Sequence, residues 1–346
     1  MAVGNATPKM GYDSCIGVAQ ETVYGTFVTT TANYIEFNTE SLKHSREEIK
    51  LESINNSRDF TKRIIGNETV EGAIEADLDI NADGLVYIMK QAMGGTVGIS
   101  TISATEFVHT LNTGNMEANK GTTTASDIKS LSFAVRKGDA NTFNVAGARV
   151  GNLTIKGEVG APIIMSAEII GQYMSISSTI GGVISYSDVT PLYFKGVTIK
   201  TSDTITSASL SAEYFSSFEF VLSNNLDGDQ RSLGSRNITL LPPGKREITC
   251  KLTQRFDTTT SYDRFISNTA TAIQIVLDSE TTVGATAGNT TYSCIINIPA
   301  AYWNSNMPEV GGNEVLTHEI ESSGMYSAEE GFSVQIVVRN DTANYF

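Results

Sequence analysis

The sequence predicts a mainly β protein built from two tandem copies of one module, each containing a single short α-helix. Three observations lead to this prediction. Runs of alternating or β-branched residues, typical of strands, recur along all 346 residues and are separated by turn-forming clusters of Gly, Asn, Asp, Ser and Thr. Two segments with helical spacing follow similar strands in the two halves. The length also fits two domains of ordinary size, or one large β domain.

The predicted strands share β-branched and aromatic residues with a two-residue period. In chain order they are Tyr34–Leu42, Thr69–Ile80, Glu106–Thr110, Ser130–Arg136, Arg149–Lys156, Ile163–Ile170, Leu192–Lys200, Ser216–Ser223, Glu247–Phe256, Ala272–Leu277, Tyr292–Ile298, Leu316–Glu321 and Phe332–Arg339.

Two segments have a helical period instead. In Asp83–Met93, apolar residues recur three and four positions apart, Asp83 is a suitable N-cap, and the pair Gly94-Gly95 ends the pattern. In Thr258–Asn268 the apolar face is shorter. The sequence therefore predicts one helix in each half.

A repeat relates the two halves. The strand before each helix carries apolar residues at matching positions, so that Ile248 follows Ile74 by 174 residues and Leu252 follows Leu78 by the same distance. The Gly- and Ser-rich stretch Ser175–Ser187 separates the copies. We expect a first module over residues 1–185 and a second over 186–346.

The first module contains a long polar arm, residues 41–65, with alternating charges and few apolar residues. Loops of this length inside compact domains are usually functional or disordered. Either the arm is a solvated loop, or a partner subunit orders it by covering its scattered apolar side chains. Those side chains are Ile49, Leu51, Ile54 and Phe60.

The charge balance restricts the classes of partner. Lys and Arg number 24 against 38 Asp and Glu, a formal net charge of −14, and no basic run of the kind that grips phosphates occurs. DNA-groove binding is therefore not expected, whereas an acidic surface lets DNA pass without adhering. No apolar run approaches a membrane span, the N-terminal residues do not resemble a secretory signal, and three cysteines cannot build a disulfide framework.

No motif for catalysis, cofactor binding or metal binding stands out. The histidines His44, His109 and His318 lie in separate segments, and no nucleophile elbow, Walker loop or dinucleotide fingerprint occurs. Residues 79–84 fit the start of a calcium loop, but its twelfth position is Lys90 instead of glutamate. We therefore expect no enzyme, no cofactor and no metal site.

Four carboxylates form the most distinctive candidate site. The two-residue period places them on one side of the strand that ends near residue 80, opposite a row of apolar residues. Either this row is the solvated face of a half-buried sheet, or it lines a channel formed by several subunits. Like charges on one strand cost stability, so a row of four carboxylates favours a role beyond solubility. The carboxylates are Glu71, Glu75, Asp77 and Asp79.

The only tryptophan, Trp303, lies in a segment that we predict to be a loop (AAYWNSNMPEVGG). Tryptophan is frequent at interface hot spots, so Trp303 is a candidate subunit contact. The alternative is that it packs over its own core.

Several segments together carry a family resemblance. They are IGVAQETVYGTF followed by YIEFNTESL, SRDFTKRIIGNETVEGAIEADL, FVLSNNLDGDQRSLGSRNITLLPPGKREITCKL and the final GFSVQIVVRN. In these segments the chain resembles the major tail tube proteins of long, non-contractile-tailed bacteriophages, most clearly at the N-terminus and from about Phe218 onwards.

The resemblance implies two tandem β-sandwich modules, each flanked by a helix, whose inner sheets join between subunits into a ring-shaped β-barrel. Rings of single-module relatives contain six subunits and those of duplicated relatives three, so we expect a trimeric, pseudo-hexameric ring, with a hexamer as the alternative. The resemblance further implies stacked rings in a virion tail that is assembled in the host bacterial cytoplasm. Long loops would hold adjacent rings together, and the candidates are residues 41–65 and, in the second copy, Asn224–Pro243.

The implied partners are other copies of the chain, the tape-measure protein and genomic DNA in the lumen without specific binding, and the tail terminator and tail-tip proteins. A second function stays open from the residues: a surface β-sandwich that binds carbohydrate or protein. Its candidate site is the aromatic pair Tyr302 and Trp303.

Overall fold

The computed structural model describes most of the chain. The described residues are 9–29, 33–54, 56–95, 97–113, 129–138, 141–177, 183–205, 211–257, 259–283, 290–305, 310 and 315–343.

The protein is mainly β, and the described residues contain 19 strands and two α-helices. The helices are α1 (Asp83–Met93) and α2 (Thr260–Ser267). The strands are β1 (Cys15–Gln20), β2 (Asn33–Ile35), β3 (Thr39–Glu40), β4 (Lys43–Lys50), β5 (Arg63–Asp77), β6 (Val97–Ser103), β7 (Glu106–Asn112), β8 (Leu131–Lys137), β9 (Asn141–Glu158), β10 (Ile164–Gly171), β11 (Tyr173–Ser177), β12 (Val197–Ser202), β13 (Ser211–Glu213), β14 (Phe215–Ser223), β15 (Glu247–Arg255), β16 (Thr271–Thr282), β17 (Thr291–Ser305), β18 (Thr317–Gly324) and β19 (Gln335–Asn340).

All strand pairs are antiparallel, and together they connect the strands into one network. Its longest part is a series of eight strands in the order β4–β5–β10–β9–β14–β15–β18–β17. We call this series the eight-strand sheet. Because β9 pairs with β14, the sheet continues from the first half of the chain into the second.

Two further series pack against this sheet. One runs β2–β1–β8–β9–β11 and the other β13–β12–β16–β17–β19–β7–β6. The long strands β9 and β17 belong to two series each. The first residues of β9 pair with β8 and β11, and its last residues pair with β10 and β14.

The core lies between these layers and consists of the inward side chains of the strands together with α1. Leu153, Phe220, Leu252 and Ile275 are fully buried members that come from both halves of the chain. Because every second residue of these strands points inward, the alternation in the sequence becomes one apolar face and one polar face.

The helix α1 has the predicted bounds. Gly94 ends it in a left-handed conformation, and eight of its eleven residues are buried. The N-cap differs from the prediction by one position: the cap is Ala82, and Asp83 is the first helical residue, whose Oδ1 accepts a hydrogen bond from Thr342 Oγ1 at 3.0 Å. Neither helix of the described chain is long and apolar enough to cross a lipid bilayer.

Several strands differ from the predictions. The expected strand Tyr34–Leu42 is split into β2 and β3, and the expected strand Thr69–Ile80 begins earlier and ends at Asp77. Strands β1, β4, β6, β11 and β13 were not predicted. Where the two faces are alike, as in the buried β1 and the largely exposed β4 and β6, burial does not alternate and no two-residue period arises.

The predicted arm is largely an extended hairpin instead of a loop. Its residues 43–50 form β4, which pairs with β5 from Arg63 to Glu71, and residues 51–62 connect the two strands. The charged side chains of this hairpin other than Glu68 are exposed, which explains the low apolar content of this segment.

Candidate assembly surfaces

The outward side of the eight-strand sheet is a continuous polar face. Residues that pair directly across neighbouring strands lie on the same face, so the pairing register identifies its members. Nine carboxylates and five basic side chains belong to it, a formal excess of four negative charges. They are Glu71, Glu75, Asp77, Glu158, Glu168, Glu219, Glu247, Glu319, Glu321, Lys43, Arg149, Lys156, Lys251 and Arg255.

Three of the four predicted carboxylates lie on this face along β5. Lys43 Nζ lies 3.8 Å from Glu71 Oε1, and Lys156 Nζ lies 3.8 Å from Glu75 Oε2. Asp77 Oδ1 accepts a hydrogen bond of 2.8 Å from Asn38 Nδ2. Only the first two therefore have basic partners, and the row keeps its acidic character.

Asp79 departs from the prediction. The strand ends two residues before it, and its Oδ1 accepts a hydrogen bond of 2.8 Å from the Asn81 backbone N–H in the turn that leads to α1. Burial raises the pKa of Asp79 above its ordinary value. This carboxyl belongs to the turn and does not extend the exposed row.

A second row crosses the junction between the halves, and its order could not be predicted from the sequence. Glu219 lies opposite Lys156 on one side and opposite Lys251 on the other, and Lys251 lies opposite Glu321. Alternating charge across neighbouring strands stabilises their pairing. The order of charges in this row depends on the register of four strands from both halves of the chain. A local sequence pattern carries no information on that register.

The two outer strands of the eight-strand sheet have open edges within the described chain. On β4, pairing is confined to the side that faces β5. Near the end of β17, residues 302–305 pair with β18 alone. Each edge leaves backbone donors and acceptors available for another strand.

The β4–β5 hairpin extends past the sheet. The last pair between β5 and β10 is at Val70, so residues 63–69 of β5 continue about 23 Å beyond it. Lys50 Nζ lies 5.8 Å from the centre of the Phe60 ring. The predicted apolar arm residues are all exposed, to 39%, 37%, 102% and 62% for Ile49, Leu51, Ile54 and Phe60.

The second predicted arm, Asn224–Pro243, is anchored to its own chain. Arg231 Nη1 donates to the Glu68 carbonyl at 2.9 Å, and the Glu68 N–H donates to the Arg236 carbonyl at 3.0 Å. Asn224 Nδ2 donates to the Ala92 carbonyl at 2.9 Å. The loop thus supports the base of the β4–β5 hairpin.

The expected loop position of Trp303 is wrong. Trp303 lies in β17, pairs with Ser322 of β18, and is only 6% exposed. An indole covered to this extent by its own chain has little surface left for a partner, so the alternative of packing over its own core describes it. The aromatic pair on which carbohydrate binding depended therefore lacks its main member at the surface.

The histidines take part in local contacts at separate places. His44 Nε2 lies 2.9 Å from Glu68 Oε2, whereas His109 and His318 are buried, which lowers the pKa of both. Burial raises the pKa of the Cys250 and Cys294 thiols to about 12. Within the described ranges, no three His, Cys, Asp or Glu side chains are grouped as metal ligands.

Comparison with known families gives one match. A family model described as phage tail tube protein matches residues 11–324. No curated protein matches the sequence.

Proposed function

Because the chain belongs to the phage tail tube protein family, we propose that it assembles into stacked rings whose lumen conducts genomic DNA out of the virion. The family makes the chain a structural component of the virion tail. The observation that carries the proposal is the eight-strand sheet, which has an acidic polar face and two open edges.

We propose that the chain contains two tube modules, residues 1–185 and 186–346, each a β-sandwich flanked by a helix. The support comes from the strand pairs. In the first half β1 pairs with β2 and β8, β9 with β8, β10 and β11, and β5 with β4 and β10. The same seven pairs recur among β12–β19, and a helix follows the equivalent strands β5 and β15.

The junction between the halves indicates how a ring would close. Within the chain, β9 of the first module pairs with β14, the first sheet strand of the second. By the repeat, the end of β17 would pair with β4 of the next copy in the same way. Three copies would then close a barrel of 24 strands and cover both open edges, which protects them from aggregation. Six copies per ring is the alternative.

In this ring the polar face of the eight-strand sheet lines the lumen. Its excess of carboxylates repels DNA phosphates, so that the genome slides without adhering. The tape-measure protein would occupy the same lumen before DNA does, and the tail terminator and tail-tip proteins would contact the end rings. Assembly would take place in the host bacterial cytoplasm.

The lumen assignment is tested by reversing the three acids of β5. We expect the triple variant Glu71→Lys, Glu75→Lys, Asp77→Lys to fold normally, because these side chains face solvent in the monomer. It should assemble poorly or retain DNA, measured by electron microscopy of tubes and by DNA ejection.

A matched control reverses three exposed carboxylates outside this face, Asp188, Asp203 and Glu329, and so has the same net charge. This control should assemble normally. If the β5 variant forms normal tubes and infectious particles, the lumen assignment is wrong.

A further inference from the structure

We propose that the tip of the β4–β5 hairpin, residues 51–62, docks into a partly apolar cleft on a second copy of this chain in the adjacent ring, with Phe60 filling the cleft. This inference rests on the proposed stacking of rings. It names the receiving surface, which lies at the opposite end of the eight-strand sheet.

The register places the hairpin tip and the cleft at opposite ends of the molecule. Strand β5 runs from Arg63 beside the tip to Asp77, a distance of about 46 Å for a strand of this length. Asp77 pairs with Ile164, the first residue of β10. The turn that joins β9 to β10 therefore lies at the far end, together with the start of β14.

The cleft is formed by this turn, the start of β14 and the segment before β12. Its wall exposes aromatic and aliphatic side chains to solvent: Val159 is 69%, Phe194 41% and Tyr214 95% exposed. Exposed apolar side chains that converge on a concavity mark interaction sites more often than isolated ones do. The other end of the sheet carries an apolar group of its own, at the hairpin tip.

The dimensions of the two surfaces match. The cleft has a volume of about 130 Å³. An apolar protein cavity of about 150 Å³ accommodates a benzene ring. Phe60 is the aromatic side chain of the tip, 62% exposed, and its phenyl group has this size. An aromatic anchor in a fitting pocket is the usual centre of an interface.

The charges of the two surfaces are complementary. Residues 43–65 contain six Lys or Arg and four Asp or Glu, an excess of two positive charges in a chain of net charge −14. The described residues that line the cleft include two carboxylates, Glu158 and Glu213, and no Lys or Arg, although Arg264 Nη1 lies 4.0 Å from Glu213 Oε1 behind the cleft wall. Arg58, Lys62 and Arg63 flank Phe60 in the sequence and would approach these carboxylates as the ring enters.

The placement also determines what kind of assembly results. The tip and the cleft belong to different ends of one chain, so the contact is heterologous and leaves a free tip and a free cleft after each addition. A contact of this type along the tube axis extends a stack of rings without limit. One chain cannot satisfy it alone, because β5, about 46 Å long, separates its own tip from the end of the sheet that carries its cleft.

Chemical crosslinking of assembled tubes tests the contact. The double variant Thr61→Cys with Val159→Cys, which keeps the Phe60 ring, is treated with a short bis-maleimide after tube formation has been checked by electron microscopy. The three native cysteines are buried and react slowly. We expect a ladder of products at multiples of the 37.1 kDa chain. Each single variant should lack the ladder, and so should Thr61→Cys combined with Ile99→Cys, an exposed aliphatic position on the edge strand β6.

The outcomes separate this inference from the function on which it rests. Tubes that form and give the ladder only with Val159→Cys support the docking. Tubes that form without that ladder, or with an equal one from Ile99→Cys, overturn it and leave the tube function intact. Failure of the unmodified protein to form tubes at any concentration would instead contradict the proposed function, and the docking with it.

Discussion

Glu21 is a buried carboxylate whose neighbours are all neutral donors. It is 1% exposed and accepts hydrogen bonds from Ser130 Oγ at 2.5 Å, Ser132 Oγ at 2.7 Å, and the backbone N–H groups of Gly25 and Gly147 at 2.9 Å. It thereby joins the loop after β1 to β8 and β9. No motif in the sequence indicates this role, because three of its four partners lie more than a hundred residues away.

Replacing this carboxylate should destabilise the monomer strongly. In Glu21→Ala three buried donors and one partly buried donor lose their acceptor, and each loss at a buried donor costs about 1–3 kcal/mol. We expect the free energy of unfolding to fall by at least about 3 kcal/mol, measured by urea denaturation of the unassembled protein. The exposed Glu52→Ala is the control. Equal stability of the two variants would contradict this role for Glu21.

Lys90 on α1 predicts a pH dependence of stability. Burial, with a smaller contribution from Lys129, lowers its pKa to about 7, and its Nζ donates to Gln20 Oε1 at 2.8 Å. The folded state therefore binds fewer protons than the unfolded state between pH 7 and about 10.4. Protonation of the buried amine destabilises the folded state. This destabilisation is absent above about pH 10.4 and is complete once the pH has fallen through about 7.

In Lys90→Met this dependence should disappear. Met has a similar length and no charge, so the variant should be at least as stable as the native chain near pH 7, with the difference vanishing towards pH 10. Thermal unfolding at pH 6, 8 and 10 measures it. A difference that is the same at all three values would show that Lys90 is not the titrating group.

At the scale of elements, strands and helices with one buried face could be predicted, and those with two similar faces could not. Helix α1 and strands such as β14 and β15 have a clear period, and their bounds agree with the prediction to within a residue or two. Strand β4 owes its structure to pairing with β5, a tertiary contact that leaves no period in its own residues. The polar arm of the sequence is therefore a hairpin.

Close packing of α1 against β2 overrides helix propensity at Gly84. A Cβ at this position would lie 2.3 Å from Ile35 Cγ2 and 3.0 Å from the Asn33 carbonyl oxygen. Alanine would gain about 1 kcal/mol of helix propensity but would force apart two packed elements, which costs about 1–3 kcal/mol.

We therefore expect Gly84→Ala to lower the melting temperature of the monomer. The control is Gly98→Ala on β6, where the nearest atom to an added Cβ is 3.8 Å away, an ordinary contact. A Gly84→Ala variant that melts at or above the native temperature would mean that β2 can move away from α1 at little cost.

At the scale of the whole molecule, the candidate site was predictable in part. The acids of β5 follow from a two-residue period within one strand, and the structure places three of the four on the polar face. The alternating row of Lys156, Glu219 and Lys251 depends on how the two halves join. At Trp303 the local sequence is misleading. Its polar, Gly-containing neighbours predict a loop, whereas β17 continues through this residue as part of the sheet.

The duplicated pairing pattern leads to a definite expectation for assembly. If the contact between β9 and β14 is repeated between β17 of one copy and β4 of the next, and if each ring holds six modules as the family resemblance implies, every ring contains three chains with pseudo-sixfold symmetry. The open edges at β4 and at the end of β17 then disappear together, so assembly and protection of the sheet edges have the same cause.

Electron cryomicroscopy of tubes grown from the purified protein tests this central claim most directly. We predict stacked rings of three chains, with the polar face of the eight-strand sheet towards the lumen and β4 paired with the end of β17 from the neighbouring chain. Rings of six chains, or a lumen lined by any other face, would contradict the account.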